Sequence, residues 1–320
     1  MMKRLFALVF AGMLCSAAVQ AQGWPTKTVH VIVPYGPGST PDTIARLIFD
    51  RVQKNTGQSM IVENKSGAAG MIGAQYVARS APDGSTLMLA PAGPLETNAL
   101  LYKKMSYDPL KDLAPVMLVA QTPTVLVVSK DVKAGNIKQL LGEMQADQGH
   151  MSYASPGVGT LGHLDMAYLV SRAHAHIPHI AYQGSPKIIT ALIRGDVQMA
   201  ALPPLAVMPM IKAGRIKPIA VIGPKRSFLL PDVPTLKEQG IDFGPVGWFG
   251  MATAAGVPQA TLEEMHRQIA LALEDPMVAK SYRAQGLETA DLGPQAFSAY
   301  IQEDMKLWRP IIAQNHISLD

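Results

Sequence analysis

Three loops in this sequence carry residue types that let the main chain hold an anion. The first, Pro34-Tyr35-Gly36-Pro37-Gly38-Ser39-Thr40-Pro41-Asp42, joins an apolar run to a helical pattern. Thr40 is placed to cap that helix, Pro41 suits its first position, and the glycines allow close approach of backbone to a ligand. A helix start has unpaired N–H groups and about half a positive charge, so it attracts an anion without an arginine. The second loop, Ala154-Ser155-Pro156-Gly157-Val158-Gly159-Thr160, leads into Leu161, Leu164, Tyr168 and Leu169 at helical spacing. In the third, Tyr182-Gln183-Gly184-Ser185-Pro186, Ser185 can cap and Pro186 can begin another helix. Helix starts of this kind, drawn from different lobes, suggest a site that grips a carboxylate from both sides.

Other chemistries fit the residues less well. A hydrolase would use Ser155 with His163 or Asp42, but Tyr153-Ala154-Ser155-Pro156-Gly157 lacks the first glycine of a nucleophile elbow, and proline follows the serine. Asp42 in a first helical turn more commonly stabilises that turn. His174, His176 and His179 have no nearby carboxylate or cysteine to complete a metal set, so they read as a solvated or structural cluster. Gly67-Ala68-Ala69-Gly70-Met71-Ile72-Gly73 has glycines without the full dinucleotide fingerprint or its later acidic residue, and reads as close helix packing. No catalytic residue, metal or cofactor is expected.

The elements that must position these loops are βα units. Val29–Val33, Met60–Glu63 and Leu87–Ala90 read as buried strands, and Ile44, Leu47, Ile48 and Val52 recur at helical spacing. Val116–Ala120 and Thr124–Val128 flank Pro123, a second βα series runs to Gly195, and Pro218–Ile222 reads as a strand returning towards the first lobe. The alternation predicts mostly parallel sheets. The last sixty residues read as helices, with apolar positions over Leu262–Leu273 and Phe297–Leu307.

The chain begins with Lys3 and Arg4 followed by Leu5–Leu14, about ten apolar residues, the length of a secretory core and half of what spans a bilayer. Val19 and Ala21 fit cleavage after Ala21, so residues 1–21 are expected to be a signal peptide and the protein periplasmic. Met13 and Leu14, in place of small residues, argue against lipid processing at Cys15, the only cysteine. The mature chain of about 300 residues then has no thiol and room for two lobes. Cleavage lowers the formal net charge of +4 by the charges of Lys3 and Arg4, and no basic block remains to suit nucleic acid. After residue 21 no apolar run approaches bilayer length, so membrane contact would go through another protein.

An ordered series of short motifs resembles the Bug family, the extracytoplasmic receptors of tripartite tricarboxylate transporters. The series includes Trp24-Pro25-Thr26-Lys27, Val33–Gly38, Asp42 with Ala45-Arg46, Val62-Glu63-Asn64-Lys65, Ala81-Pro82-Asp83-Gly84 and Tyr107–Asp112. It continues through Gly157-Val158-Gly159-Thr160 with His163, Tyr182-Gln183-Gly184, Leu230–Thr235, Trp248-Phe249-Gly250 and Ala255-Gly256-Val257-Pro258. The resemblance covers essentially the whole mature chain. It implies a type II periplasmic-binding-protein fold: an α/β protein of two lobes joined by crossover strands, with the ligand in the cleft. One lobe would comprise residues 22–123 and 222–320, the other 124–221, with the carboxy-terminal helices on the first.

The resemblance also implies that backbone amides of the Pro34–Asp42 and Ser155–Thr160 loops hold a ligand carboxylate, with ordered waters helping. The expected ligand-binding residues are Tyr35, Gly36, Pro37, Gly38, Ser39, Thr40, Asp42, Ser155, Gly157, Val158, Gly159, Thr160, His163, Tyr182, Gln183, Gly184 and Leu202. Ser39 and Gln183 depart from the glycine and lysine frequent in the family. Met199–Pro204 lacks an aspartate often found there, which disfavours an amino-acid ligand and leaves an apolar surface for the far end of the ligand. The expected role is a non-catalytic receptor for a small organic carboxylate, a dicarboxylate or an aromatic acid. Its partner would be the permease of a tripartite transporter or, alternatively, a membrane sensor.

Overall fold

The computed structural model describes residues 23–319; the expected signal peptide, residues 1–21, lies outside the described residues. The apolar runs form strands as their composition requires. Strands β1 (Val29–Val33), β2 (Met60–Asn64), β3 (Thr86–Pro91), β4 (Leu113–Thr122), β10 (Gly247–Ala254) and β11 (Glu288–Leu292) make a six-stranded sheet in the order β11-β4-β10-β3-β1-β2. Strands β5 (Thr124–Ser129), β6 (Tyr153–Ser155), β7 (His179–Ala181), β8 (Met199–Leu202) and β9 (Ile216–Ile222) make a five-stranded sheet in the order β7-β6-β8-β5-β9.

Each sheet anchors one α/β lobe, and the chain crosses between them twice. β4 ends at Thr122 and β5 starts at Thr124, so Pro123 alone separates the sheets; the return runs from β9 to β10 through residues 223–246. The sheets are mixed, a correction to the expected parallel arrangement. β1 is parallel to β2 and β3, and β6 to β7 and β8, but β10 is antiparallel to β3 and β4, and β5 to β8 and β9. A strand buried on both faces is apolar throughout whichever way it runs, so composition does not report its direction.

Helix α1 (Thr40–Thr56) buries Ile44, Ala45, Ile48, Phe49 and Val52 against the first sheet, and Gly57, at φ 73°, ends it in the left-handed conformation. α2 (Met71–Ala78) lies against the loop after β1, where a Cβ on Gly73 would stand 2.8 Å from Pro34 Cβ. Its glycines serve close packing. A bulged turn (Gly93–Thr97) and the short α3 (Asn98–Leu101) follow β3.

In the second lobe α4 (Ile137–Ala146), α5 (Leu161–Arg172), α6 (Ser185–Arg194) and α7 (Pro204–Lys212) cover the sheet. α8 (Gln259–Leu273) packs on α1 and β4 of the first lobe, with α9 (Pro276–Ala284) beside it.

Packing departs from the expected division of the chain in two places. The last helix, α10 (Pro294–Gln314), places Phe297, Ile301 and Met305 in a first-lobe core with Trp248 and Leu118. Its later turns place Trp308, Ile311 and Ile312 in the second-lobe core with Leu126, Leu164 and Met199. Leu236, Ile241 and Phe243 also join that core, and Phe243 stacks on Tyr168 of α5 with ring centroids 3.6 Å apart. Leu230, Val233, Leu236, Ile241 and Phe243 and the end of α10 therefore pack in the second lobe, while Lys225 and Phe228 contact Glu288 and Arg283 of the first. An amphipathic stripe shows that a helix face is buried and not which sheet buries it.

Candidate functional site

A cavity of about 290 Å³ lies between the lobes. The first lobe contributes Tyr35, Gly93, Thr97, Asn98 and Leu101, and the second contributes Val158, Gly159, Thr160, Leu161 and Leu164. Thr122 and Gly247-Trp248-Phe249, on the strands beside the crossings, and Asp304 and Trp308 of α10 complete the wall. No lysine, arginine or histidine is among these lining residues.

The first loop turns inward. Ser39, and not Thr40, is the N-cap of α1, and its side chain makes no capping bond. Asp42 takes that role from inside the helix: its carboxylate accepts from the Gly38 N–H at 2.9 Å, from Asn64 Nδ2 at 2.9 Å and from Arg46 at 2.9 Å. Burial would raise the Asp42 carboxyl, but the bonds from Arg46, Gly38 and Asn64 outweigh it and hold the group below the usual range. The chain's own carboxylate thus takes the Gly38 N–H just ahead of this helix start. Tyr35 reaches the cavity, while Gly36, Pro37, Gly38, Ser39, Thr40 and Asp42 are not in its lining.

The second loop is also partly self-satisfied. The Gly159 N–H donates to His163 Nδ1 at 3.0 Å, and the Thr160 hydroxyl donates to the Gly157 carbonyl at 2.8 Å. His163 must be unprotonated at Nδ1 to accept, which agrees with burial, and then the neighbouring His179, pushing it down to about 4. Val158, Gly159 and Thr160 face the cavity, together with Leu161, the first residue of α5. The opening N–H groups of a helix have no intrahelical partner, and here that end borders the cleft.

Ser155 pairs with neither His163 nor Asp42, the partners expected for it. It is fully buried; its hydroxyl donates to the Gly157 carbonyl at 2.9 Å, and His179 Nε2 lies 2.7 Å from its oxygen. The Ser155 hydroxyl is thus engaged by both the Gly157 carbonyl and the His179 ring. His163 stacks on His179 at 4.0 Å between ring centroids and makes no bond to Ser155, while Asp42 is held in the other lobe. His163, His174, His176 and His179 line a separate groove of about 950 Å³ with His316. No group of three histidine, cysteine, aspartate or glutamate side chains among the described residues is arranged for a metal ion.

The third loop lies outside the cavity. Gly184, at φ 86°, precedes α6 where Ser185 was expected to cap it, Gln183 is exposed and accepts from Lys187 at 2.7 Å, and Tyr182 packs on the second-lobe core. Leu202, expected to face the ligand, is wholly buried in that core with Val125 and Val207. A strand end in an apolar run has two faces, and the sequence does not say which one meets the cleft.

The cavity residues missed in the sequence are the turn after β3, Thr122, Gly247–Phe249, Asp304 and Trp308. One signal was legible. Phe297, Ile301, Asp304, Met305 and Trp308 share one helical face, so a carboxylate sits within a buried stripe. Such an acid needs a partner or a function. Trp248 Nε1 donates to its Oδ2 at 2.9 Å.

A sequence profile described as tripartite tricarboxylate transporter family receptor matches residues 44–317. The chain belongs to this family. It is 30% identical to protein BugT of Bordetella pertussis over 323 residues, covering 99% of each chain. Among solved structures it is similar to an R. palustris protein determined with adipate, with TM-score 0.77 and 29% identity, covering 92% of this chain and 99% of that one. MatC from Rhodopseudomonas palustris, solved with bound malate, gives TM-score 0.73 and 26% identity over 90% of this chain and 100% of that one. The two-lobed architecture is thus the type II periplasmic-binding-protein fold of these receptors.

Proposed function

We propose that this protein is a periplasmic receptor that captures one small organic carboxylate in the interlobe cleft and presents it to the permease of a tripartite transporter. The observation that carries the reading is the cavity itself, whose wall is drawn from both lobes and from the strands beside the crossings. A ligand touching both lobes stabilises the closed arrangement by its differential contacts, which is how a hinge receptor signals occupancy. Carboxylate chemistry is supported by the start of α5 at the cavity wall, since a helix start favours negative charge. It is also supported by the relatives solved with adipate and malate. The apolar and aromatic walls, with Trp248, Trp308 and Phe249, suit the hydrocarbon body of such an acid, an aromatic one included.

Receptor function in place of catalysis is supported by Ser155, which is fully buried and outside the cavity lining. The test is a thermal-shift screen of the mature chain against mono-, di- and tricarboxylates and aromatic acids. A ligand that binds only the folded state adds about 2.7 kcal/mol at a hundredfold excess over Kd. One or a few acids raising the melting temperature in a saturable way is the expected result. A flat response across the panel would overturn the carboxylate reading.

A further inference from the structure

Asp304 gives the cavity an acidic wall with no cation to balance it. Its carboxyl lies in the lining and is 9% exposed; the Trp248 indole donates to one oxygen in the bond described above, and the Trp308 and Glu96 side chains also hydrogen-bond the group, all of them uncharged donors. An ionised carboxylate accepts about four hydrogen bonds, so capacity remains for a ligand. Glu96 is wholly buried in the turn after β3, and its carboxyl, kept protonated by burial, hydrogen-bonds Asp304. Asp165 on α5 is wholly buried with one oxygen bonded to Thr124 at 2.6 Å and the other unpartnered.

These acids feel one another. Burial pushes Asp304 up; burial and then Asp304 push Glu96 well above its usual range; burial, and also Asp304, raise Asp165. The Tyr300 hydroxyl, raised by burial and then by Asp304, completes the titratable surroundings. The wall beside Asp304 is aromatic, with Trp248, Phe249 and Trp308, and ring faces attract cations.

A second carboxylate brought into this cavity would meet Asp304 with no lysine, arginine or histidine in the lining to offset it. We propose that the cleft selects a zwitterion: a monocarboxylate whose other end carries an ammonium group, received by Asp304 among the aromatic faces. The inference rests on the carboxylate reading above and narrows it to one charge type.

Calorimetric titration of the mature chain at neutral pH tests this with matched probes: 6-aminohexanoate, adipate, hexanoate and hexylamine, and the four-carbon set 4-aminobutyrate, succinate, butyrate and butylamine. The expected result is that, at one length at least, the zwitterion binds about tenfold or more tighter than both acids of that length. Asp304→Asn keeps an acceptor for the Trp248 N–H and should shrink that advantage to about threefold or less. Glu96→Gln, which keeps shape and removes the ionisable neighbour, should retain the preference. Circular dichroism and melting curves establish that each variant is folded.

Adipate or succinate matching the zwitterion, or an undiminished preference in Asp304→Asn, overturns this proposal and leaves the carboxylate reading standing. The amine binding as tightly as the zwitterion overturns the carboxylate reading and the zwitterion with it. A folded protein that binds no probe in either set also overturns both.

Discussion

Substituting Gly159 by alanine should weaken ligand binding by obstructing closure of the lobes, and the structure separates that effect from damage to the fold. A Cβ at this position would lie 2.3 Å from Cδ1 of Leu101, with Cγ and Cδ2 at 3.5 and 3.6 Å. Leu101 belongs to α3 of the first lobe, is 4% exposed, packs with second-lobe residues and borders the cavity, so it yields chiefly by moving into the space a ligand would occupy. Overpacking of this kind costs roughly 1–3 kcal/mol. Charged to the closed state alone, it raises Kd about fivefold to over a hundredfold. The φ of +76° adds a separate cost of about 1–2 kcal/mol for any L side chain, which is paid whether the lobes are apart or together. The assay is calorimetry with the best acid from the screen on four proteins: the parent, Gly159→Ala, Leu101→Ala and the double variant. In the Leu101→Ala background Gly159→Ala should change Kd by less than about threefold, while its melting temperature still falls in both backgrounds. An equal loss of affinity in both backgrounds would mean that Gly159 acts on the ligand directly, as the sequence alone suggested. An unchanged Kd in the single variant would refute the steric coupling itself.

Three further outcomes are expected. Asp42→Ala removes the buried acceptor shared by the Gly38 N–H, Asn64 and Arg46, and Arg46, half exposed, keeps only Asn64, so urea unfolding should show a loss of about 1–3 kcal/mol; an unmoved midpoint would contradict the locking role. His163 is held neutral by burial, so its contribution to stability should be complete above pH 6.5 and should be lost progressively as pH falls towards 4, by about 2–3 kcal/mol in all. Denaturation across that range should show the slope in the parent, and a slope equally steep in a folded His163→Gln variant would assign it elsewhere. Intact-mass measurement of exported protein should begin at Gln22, and a product retaining Lys3 and Arg4 would refute the export reading.

The sequence exposed the elements better than their relations. Val29–Val33 and Thr124–Val128 were legible as strands because valine and isoleucine runs too short for helices have few alternatives, and both lie in strands of the structure. Strand direction was not legible, for the reason that two-faced burial erases alternation. The loops were legible as helix starts, but not the competition within them. Asp42 sits four residues after Gly38, and His163 four after Gly159, the spacing at which a side chain on the first helical turn folds back onto the preceding N–H. Both glycines therefore donate inward, to a side chain of the same loop and helix. Leu202 was misplaced because the strand's core face and cleft face are equally apolar.

The position of Asp304 explains why an acid is tolerated in so apolar a place. Residues before it on α10 belong to a first-lobe core and residues from Trp308 onward to the second-lobe core, so Asp304 stands where the helix changes allegiance. Its indole partner Trp248 lies on β10, the strand that receives the chain on its return to the first sheet. Leu319 N–H donates to the Leu101 carbonyl at 3.1 Å, so the segment after α10 also ties second-lobe packing to α3. Any change in lobe angle must be absorbed near these contacts, since β4 reaches β5 through a single residue. A buried carboxyl there makes the closed state depend on what the cavity holds: without ligand its charge meets only the uncharged donors Trp248, Trp308 and Glu96, and a hydrogen-bonding cationic group would balance it. The free energy that favours closure would then come from the ligand, as a receptor that must also release its cargo requires. On this argument Asp304→Leu should close more readily without ligand and respond less to it, seen as a smaller ligand-induced change in radius of gyration by solution scattering. A ligand-induced change as large as the parent's would show that the acid has no part in coupling occupancy to closure.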